Sequence, residues 1–550
     1  ARTYRKTARR THKDAVVDHL LAMSGGEEWR KLVDGEVKAA QQEADRLCAI
    51  VDEEAEPYKS KYAAIEALKA VQKPVAAALE ATGDGALSEE DSKEASRLAG
   101  LLALRVGNLL VETEMTGDGE KELARSLELL RVDEGTGASD LMEAHNALGV
   151  LWCNRSEYER SKEYLDGAAE LYKKAGGGEG SKVVDYTTPL ESNYTLTLFY
   201  LAQVYGHMRD VVRSAEYCGA TLGRQLKSGE GPKDDWAQNA TQLAGYYIAD
   251  GQWSTGERCL AAAAVVLERH RAAPDTRLGD DDVGANVSLG WARLYLMRLS
   301  ASRDLLYLGP KDGAAEEERP IPDALSFPEL GLPPLLRAGG EPVLVRDFEG
   351  ARALFNAGMR HLNSALGYYK LDGFVTEHTN AIMDKSALYK LIVAFEPDPH
   401  RQCVMHRHRA KLVEPLVGQL NPQHFDQQVR QMRYELAELY RETLEIKRDA
   451  RRPHAKVAAA GRKAVRWYES FMSAFHDTAG KRPSRIQDPE TESWYLGAWF
   501  NLAGSLHKMQ APTRELAGGD VSNVARSIDE FRALIEYVER NQVDNYAEEL

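Results

Sequence analysis

Long apolar runs are missing from this chain. No stretch approaches the ~20 uninterrupted apolar residues that a membrane-spanning helix requires, so no helical span is expected. The strict apolar–polar alternation of half-buried strands is nearly absent as well. Cysteine is scarce: five residues (Cys48, Cys153, Cys218, Cys259, Cys403), none paired at metal-ligand or redox spacing. An odd count without a framework fits a reducing compartment, with each thiol serving as a small buried hydrophobe. An excess of positive charge is also lacking. Lys and Arg number 70 against 85 Asp and Glu, a formal net charge of −15. That balance argues against a nucleic-acid binder, which needs a basic face to displace phosphate counterions. It suits a partner with a basic surface, because complementary potentials speed and orient docking.

What is present is helix. Apolar residues make up 43% of the 550 and charged residues 28%, enough for a core under a solvated surface. Ala, Leu, Glu, Lys and Arg dominate long windows with apolar spacing of three and four. An internal repeat emerges from them. Leu148-Gly149 is followed by an aromatic, Trp152, then by small Ser161, Leu165 and Ala168. The frame recurs at Leu201-Ala202, with Tyr205, Ser214, Cys218 and Thr221, and at Leu243-Ala244, with Tyr247, Gly256, Leu260 and Ala263. Weaker copies lie at Gly107 (with Gly119, Leu123, Ser126), Trp291-Ala292-Tyr295, Leu436-Ala437-Tyr440 and Leu502-Ala503-Leu506. Small residues must face each other where the two helices of a hairpin approach, and large ones fill the space between hairpins. The pattern predicts an all-α solenoid of tetratricopeptide-like helix pairs. Its steps of 53, 42 and 48 residues between the small residues 149, 202, 244 and 292 exceed the usual period of about 34. Long connections are therefore expected at Ala175–Thr187 and Ser228–Asp235.

The pattern breaks between Gly309 and Pro342, where seven prolines (310, 320, 322, 328, 333, 334, 342) accompany the acidic run Glu316–Glu318. Proline at this density removes amide donors and stops helices. The expected organisation is thus a basic N-terminal tail with a first helix (1–50), a solenoid half (51–308), a Pro-rich acidic loop or hinge (309–345) and a second half (346–550). The first residues are basic (Arg2, Arg5, Lys6, Arg9, Arg10, Lys13 before Asp14). They read as a disordered tail or a gene-model extension, with a targeting presequence as the alternative.

Several segments share polar as well as packing residues with one family. They are Glu56–Tyr62, Asn146–Trp152, Phe199–Tyr205, Tyr217–Cys218 with Thr221–Leu226, and Trp236–Ala237 leading to Tyr246–Ile248. A longer run extends from Asp347–Glu349 through Leu371–His378, Lys385–Leu388, Phe395–Glu396, Met405–His406 and Glu414–Leu416 to Leu420–Gln423. From about Val51 onward, in order, the chain resembles the KIF-binding protein family of tetratricopeptide proteins. The Pro-rich loop has no counterpart in that resemblance, and the family pattern would lead to a further helix beyond Leu550. The resemblance implies a right-handed α-solenoid in the cytoplasm, associated with the cytoskeleton. Its concave face would bind kinesin motor domains and control their microtubule binding, with only indirect association with microtubules. It implies no enzyme activity, cofactor, nucleic acid or membrane insertion.

Groove positions are expected three residues before, and one after, the small residue of each first helix. That rule selects Asn146, Phe199, Gln203, Thr241 and Gly245, with Tyr200, Gln238 and Gln242 nearby. Amides, hydroxyls and aromatics there suit the reading of a partner helix. Tyr200 and Gln203 follow the family pattern, whereas Gln242 and Gly245 depart from it. The alternative is a general tetratricopeptide scaffold or co-chaperone gripping a peptide. It would need Lys and Arg on the groove, and only Asn146 fits such a clamp. Other apparent chemistry dissolves on inspection. His400, Cys403, His406 and His408 cluster with Arg401, Arg407 and Arg409, but His408 lies on another helix face from Cys403 and His406 and no second Cys pair follows, so they read as a basic, solvated face or a contact to an acidic loop and not a metal site. Gly176–Lys182 lacks the Gly-Lys-Ser/Thr order of a phosphate loop, and Glu377-His378 has no second His four residues on.

Overall fold

The computed structural model describes residues 29–54, 56–81, 87–131, 137–177, 184–229, 234–272, 282–309, 319–335, 344–510 and 522–543. The basic residues before 29 and part of the Gly-rich loop lie outside them. All regular structure among these residues is helical, and no helix is long and apolar enough to cross a membrane. A π-helical turn, Leu32–Val37, leads into α1 (Lys38–Cys48). There follow α2 (Lys59–Glu80), α3 (Glu89–Glu112), α4 (Thr116–Leu130), α5 (Ala138–Asn154), α6 (Tyr158–Lys174), α7 (Pro189–His207) and α8 (Val211–Lys227). The chain continues with α9 (Asp234–Ala249), α10 (Trp253–Arg271), α11 (Asp282–Leu308), α12 (Phe348–Tyr368), α13 (Val375–Val393) and α14 (Pro399–Gln419). It ends with α15 (Asp426–Asp449), α16 (His454–Met472), α17 (Pro489–Lys508) and α18 (Ser522–Asn541). Two compact units divide this array, residues 1–232 and 233–550. The division falls in the Ser228–Asp235 connection.

Local chemistry sets the helix starts. Thr188-Pro189, Asp398-Pro399 and Asp488-Pro489 each place a capping oxygen just before a proline. The cap accepts an otherwise unpaired amide, and proline occupies a position that has no amide to pair. Within each hairpin the expected close approach is made. Ser161 Oγ donates to the Gly149 carbonyl at 2.7 Å, and Ser214 Oγ donates to that of Ala202 at 2.8 Å. A Cβ added at Gly256 would sit 3.3 Å from the Ala244 carbonyl, and one at Gly119 3.0 Å from that of Gly107. Four hairpins therefore share one contact, twelve residues apart.

They share a turn as well. Seven residues after each small residue the backbone enters the left-handed region, at Glu114, Ser156, Arg209 and Gly251. The next residue's amide then returns to a carbonyl five positions back, as in Glu157 N to Trp152 O at 3.0 Å and Asp210 N to Tyr205 O at 2.9 Å. This is the Schellman closure of a helix end. Only Gly251 is of the residue type that adopts it without steric cost.

Consecutive first helices lie side by side: α3 on α5 and α5 on α7 in the first unit, then α9 on α11, α11 on α13, α13 on α15 and α15 on α17 in the second. The second helices pack outside them, giving the two-layer repeat stack expected of a solenoid. In the first unit buried Glu191 ties three helices together. It accepts from Tyr172 of α6 at 2.9 Å and pairs with Arg224 of α8. In the second unit the described part of the Pro-rich segment packs on α9 and α10. Phe327, itself left-handed, is buried edge-on to Trp236 with ring centres 5.4 Å apart. The Leu330 carbonyl accepts from Arg269 at 2.7 Å. The helices on either side of the Pro-rich segment, α11 and α12, pack directly on each other.

A Cβ at Gly149 would lie 2.7 Å from the side chain of fully buried Leu165, whereas one at Gly245 meets nothing within 4 Å. Gly149→Ala should therefore lower the thermal midpoint, at a cost of about 1–2 kcal/mol from overpacking. Gly245→Ala should raise it by roughly 0.5–1 kcal/mol of helix propensity. Arg209→Gly, at an exposed turn, should also stabilise, by roughly 0.5–1 kcal/mol, by releasing left-handed strain. Thermal unfolding followed by circular dichroism checks all three, and a midpoint that moves the other way refutes the packing assignment.

Candidate partner-binding face

The first helices carry the residues singled out from sequence. Asn146 lies on α5, Phe199, Tyr200 and Gln203 on α7, and Gln238, Thr241 and Gln242 on α9. At Asn146 the position three residues before the small residue is not open, which corrects the groove rule there. Asn146 is 1% exposed. Its amide nitrogen donates to the Asn193 carbonyl at 2.9 Å, and its oxygen accepts from Thr197 Oγ1 at 2.8 Å. The side chain is thus fully engaged in the seam between α5 and α7 and cannot reach a partner. Thr241 faces the equivalent seam between α9 and α11, where a Cβ on Gly290 would lie 3.0 Å from its methyl. Gln238 belongs there too, accepting from Asn286 at 3.3 Å, while Asn286 in turn accepts from the Tyr369 hydroxyl at 2.6 Å. The physical reason is the lateral contact of one first helix with the next, which covers this stripe of the helix.

The exposed candidates are Gln203 in the first unit and Gln242 in the second. Phe199 and Tyr200 are half-buried and meet edge to face at 5.2 Å. Tyr200 packs on the cluster of Cys153, Leu165 and Leu201, and burial pushes its hydroxyl up. An aromatic held this way presents a rigid edge at low entropic cost, the usual property of an anchor.

Two acids that sequence reading passed over lie on first helices, one in each unit. Glu143 on α5 is open to solvent, yet surrounding protein pushes its carboxyl up, with Asp140 adding to the effect. Asp384 on α13 behaves alike: exposed, but raised to about 6 by desolvation against an opposing pull from Arg293. In both, solvent reaches the residue while neighbouring protein takes away part of the carboxylate's hydration. Neither acid sits in a motif. The only sequence signal was a carboxylate on a first helix.

The basic cluster on α14 also requires correction. His400, Arg407 and His408 are exposed as expected, but His406 and Arg409 are buried in the second unit's core. Arg409, with no exposed surface, donates to Glu435 at 2.6 Å, Glu442 at 2.7 Å, His406 Nδ1 at 2.8 Å and Ser386 Oγ at 3.3 Å. A buried guanidinium persists only when its donors are matched in this way. Among the described residues no group of three His, Cys, Asp or Glu side chains is arranged to hold a metal ion.

Known proteins share this chain's sequence over most of its length. A family model described as KIF-1 binding protein C terminal matches residues 234–549, opening where the second unit opens. The KIF-binding protein of Mus musculus is 30% identical, over 88% of this chain and 90% of its own. That of Xenopus tropicalis is 29% identical over 83% of each chain. The Drosophila melanogaster protein is 27% identical over 83% of this chain and 84% of its own. With more than half of its length matched by the family model, this chain belongs to the KIF-binding protein family, one of helical adaptors and not of enzymes.

Proposed function

We propose that this chain is a cytoplasmic adaptor that binds kinesin motor domains through the face of its first helices and controls their attachment to microtubules. The observation that carries this reading is the alignment, over most of both chains, with relatives named KIF-binding protein. Electrostatics supports it. A motor is basic where it meets acidic tubulin, and a chain with net charge −15 competes for such a surface by complementary potential. The partly desolvated carboxylates Glu143 and Asp384 suit cationic partner groups, because a carboxylate that has lost part of its hydration gives up less on pairing. Exposed Gln203 and Gln242 on other first helices offer amide contacts, and Tyr200 an aromatic edge. Control of motor attachment would make the chain a regulator of microtubule-based transport, associated with the filament indirectly through the motor.

Capture of motor domains in a pull-down, with loss of the same motors from microtubule pellets, is the expected result. A chain that captures no motor, or leaves microtubule occupancy unchanged, defeats the reading. Tyr200→Ala with Gln203→Ala should weaken motor binding by at least ~2 kcal/mol if both are central contacts. Gln203→Arg alone, at an exposed site, provides a version that preserves packing. Unchanged affinity in both moves the interface elsewhere.

Affinity should also depend on pH. Asp384 titrates at about 6 in the free protein, and pairing with a cation lowers that value. Complex formation then releases a proton below pH 6, so affinity is full near pH 7 and falls as pH drops through 6. Calorimetry between pH 7.5 and 5 should show this slope, and Asp384→Asn should flatten it while lowering affinity at pH 7.

A further inference from the structure

A half-open pocket of 190 Å³ lies between α14, α15 and α16 of the second unit. Its wall carries three cationic side chains, Arg407, Lys447 and Lys463, together with Tyr440 and His406, and no carboxylate lines it. Such a concentration of positive charge is unusual in a chain of net charge −15. Lys463 Nζ donates to the Tyr440 hydroxyl at 2.9 Å, and that hydroxyl donates to Glu414 at 2.7 Å. Among the described residues Lys447 Nζ reaches only a backbone carbonyl, that of Lys456 at 3.3 Å. Burial holds the Lys447 ammonium below its usual range, and Arg407, Lys456 and Lys463 push it the same way, with the Cys403 thiol opposing. An anion in the pocket would relieve that repulsion.

His406 makes the pocket directional. The ring is 2% exposed. Arg409, which keeps its protons, donates to Nδ1 at 2.8 Å, so Nδ1 carries the lone pair and the ring proton sits on Nε2. Desolvation, with the Arg409 charge beside it, pushes the imidazole down to about 3, so the ring stays neutral near pH 7. Nε2–H is then a fixed donor from a residue that lines the pocket, buried and without an acceptor among the described residues. A buried donor left unpaired is unfavourable, and a ligand oxygen removes that cost.

We propose that this pocket binds the phosphate monoester group of a small molecule. Lys447, Lys463 and Arg407 neutralise the dianion, and a small movement of the His406 ring brings its covered Nε2–H to one oxygen. Three cations match two negative charges better than the single charge of a carboxylate. The volume equals the liquid share of about six waters, room for the phosphate and a short organic stub. The site shares no residue with those assigned to the motor, so its test is independent of that reading.

The full chain is titrated calorimetrically with inorganic phosphate and with glycerol 3-phosphate at constant ionic strength, with glycerol and chloride as controls. Saturable one-to-one binding of glycerol 3-phosphate and a shift of the His406 Nε2 resonance are expected. At least a tenfold loss of affinity is expected in Lys447→Ala/Lys463→Ala, whose side chains lie outside the core. The pair Lys93→Ala/Lys121→Ala, which does not line the pocket, should bind as the native chain does. Binding of neither probe, or undiminished binding by the Lys447/Lys463 variant, overturns the proposal. Binding of inorganic phosphate without the ester also overturns it and marks a free-anion site.

Discussion

The close approach of two helices at one point in each hairpin governs the rest of the architecture. Where Ser161 Oγ reaches the Gly149 carbonyl, the backbones come nearer than any larger side chain would allow. The first helix then has a fixed length beyond the contact, which puts the left-handed turn residue seven positions later in four successive hairpins. With the second helix held outside, the first helices are free to lie against one another. Their remaining open stripe becomes the face offered to a partner. A residue's role on these helices therefore follows from its angular distance from the contact.

That dependence explains which parts of the molecule were legible in the sequence. The packing pairs were, because helix geometry fixes their twelve-residue offset and leaves only small residues acceptable. Asn146 was misread, because one turn of helix separates the open stripe from the lateral seam. Only the neighbouring helix, through Thr197 and the Asn193 carbonyl, shows which side it faces. The turns were hidden for a chemical reason: Glu114, Ser156 and Arg209 hold a conformation that ordinarily announces itself by glycine. His406 and Arg409 looked solvated because charged residues surround them on α14. Their burial depends on Glu435 and Glu442, 26 and 33 residues beyond Arg409, and no local pattern reports a match at that range.

The Pro-rich segment shows the same limit from the opposite side. Its composition excludes helix, and the described residues form only two short 3₁₀ turns, Asp323–Leu325 and Pro328–Leu330. Yet Leu325, Phe327 and Leu330 are buried, fastened to α9 and α10 by one aromatic contact and one guanidinium. Proline set the backbone there, and three apolar side chains set its place. The compact-unit boundary lies elsewhere, in a connection with no comparable density of proline.

The polar seams between first helices bear on how such an array could have grown. A seam of leucines accepts any neighbour of similar shape. The seam of α5 and α7 accepts only a helix that offers a hydroxyl and a free carbonyl where Thr197 and Asn193 stand. The seam of α9 and α11 asks instead for Asn286, itself held by Tyr369. At these two seams the hairpin thus carries an address for the one that follows, written in different hydrogen bonds. A duplicated or transposed repeat would bury unmatched amides at both of its borders. The order of the repeats is therefore locked, and change in such a chain is directed to its connections and its open face.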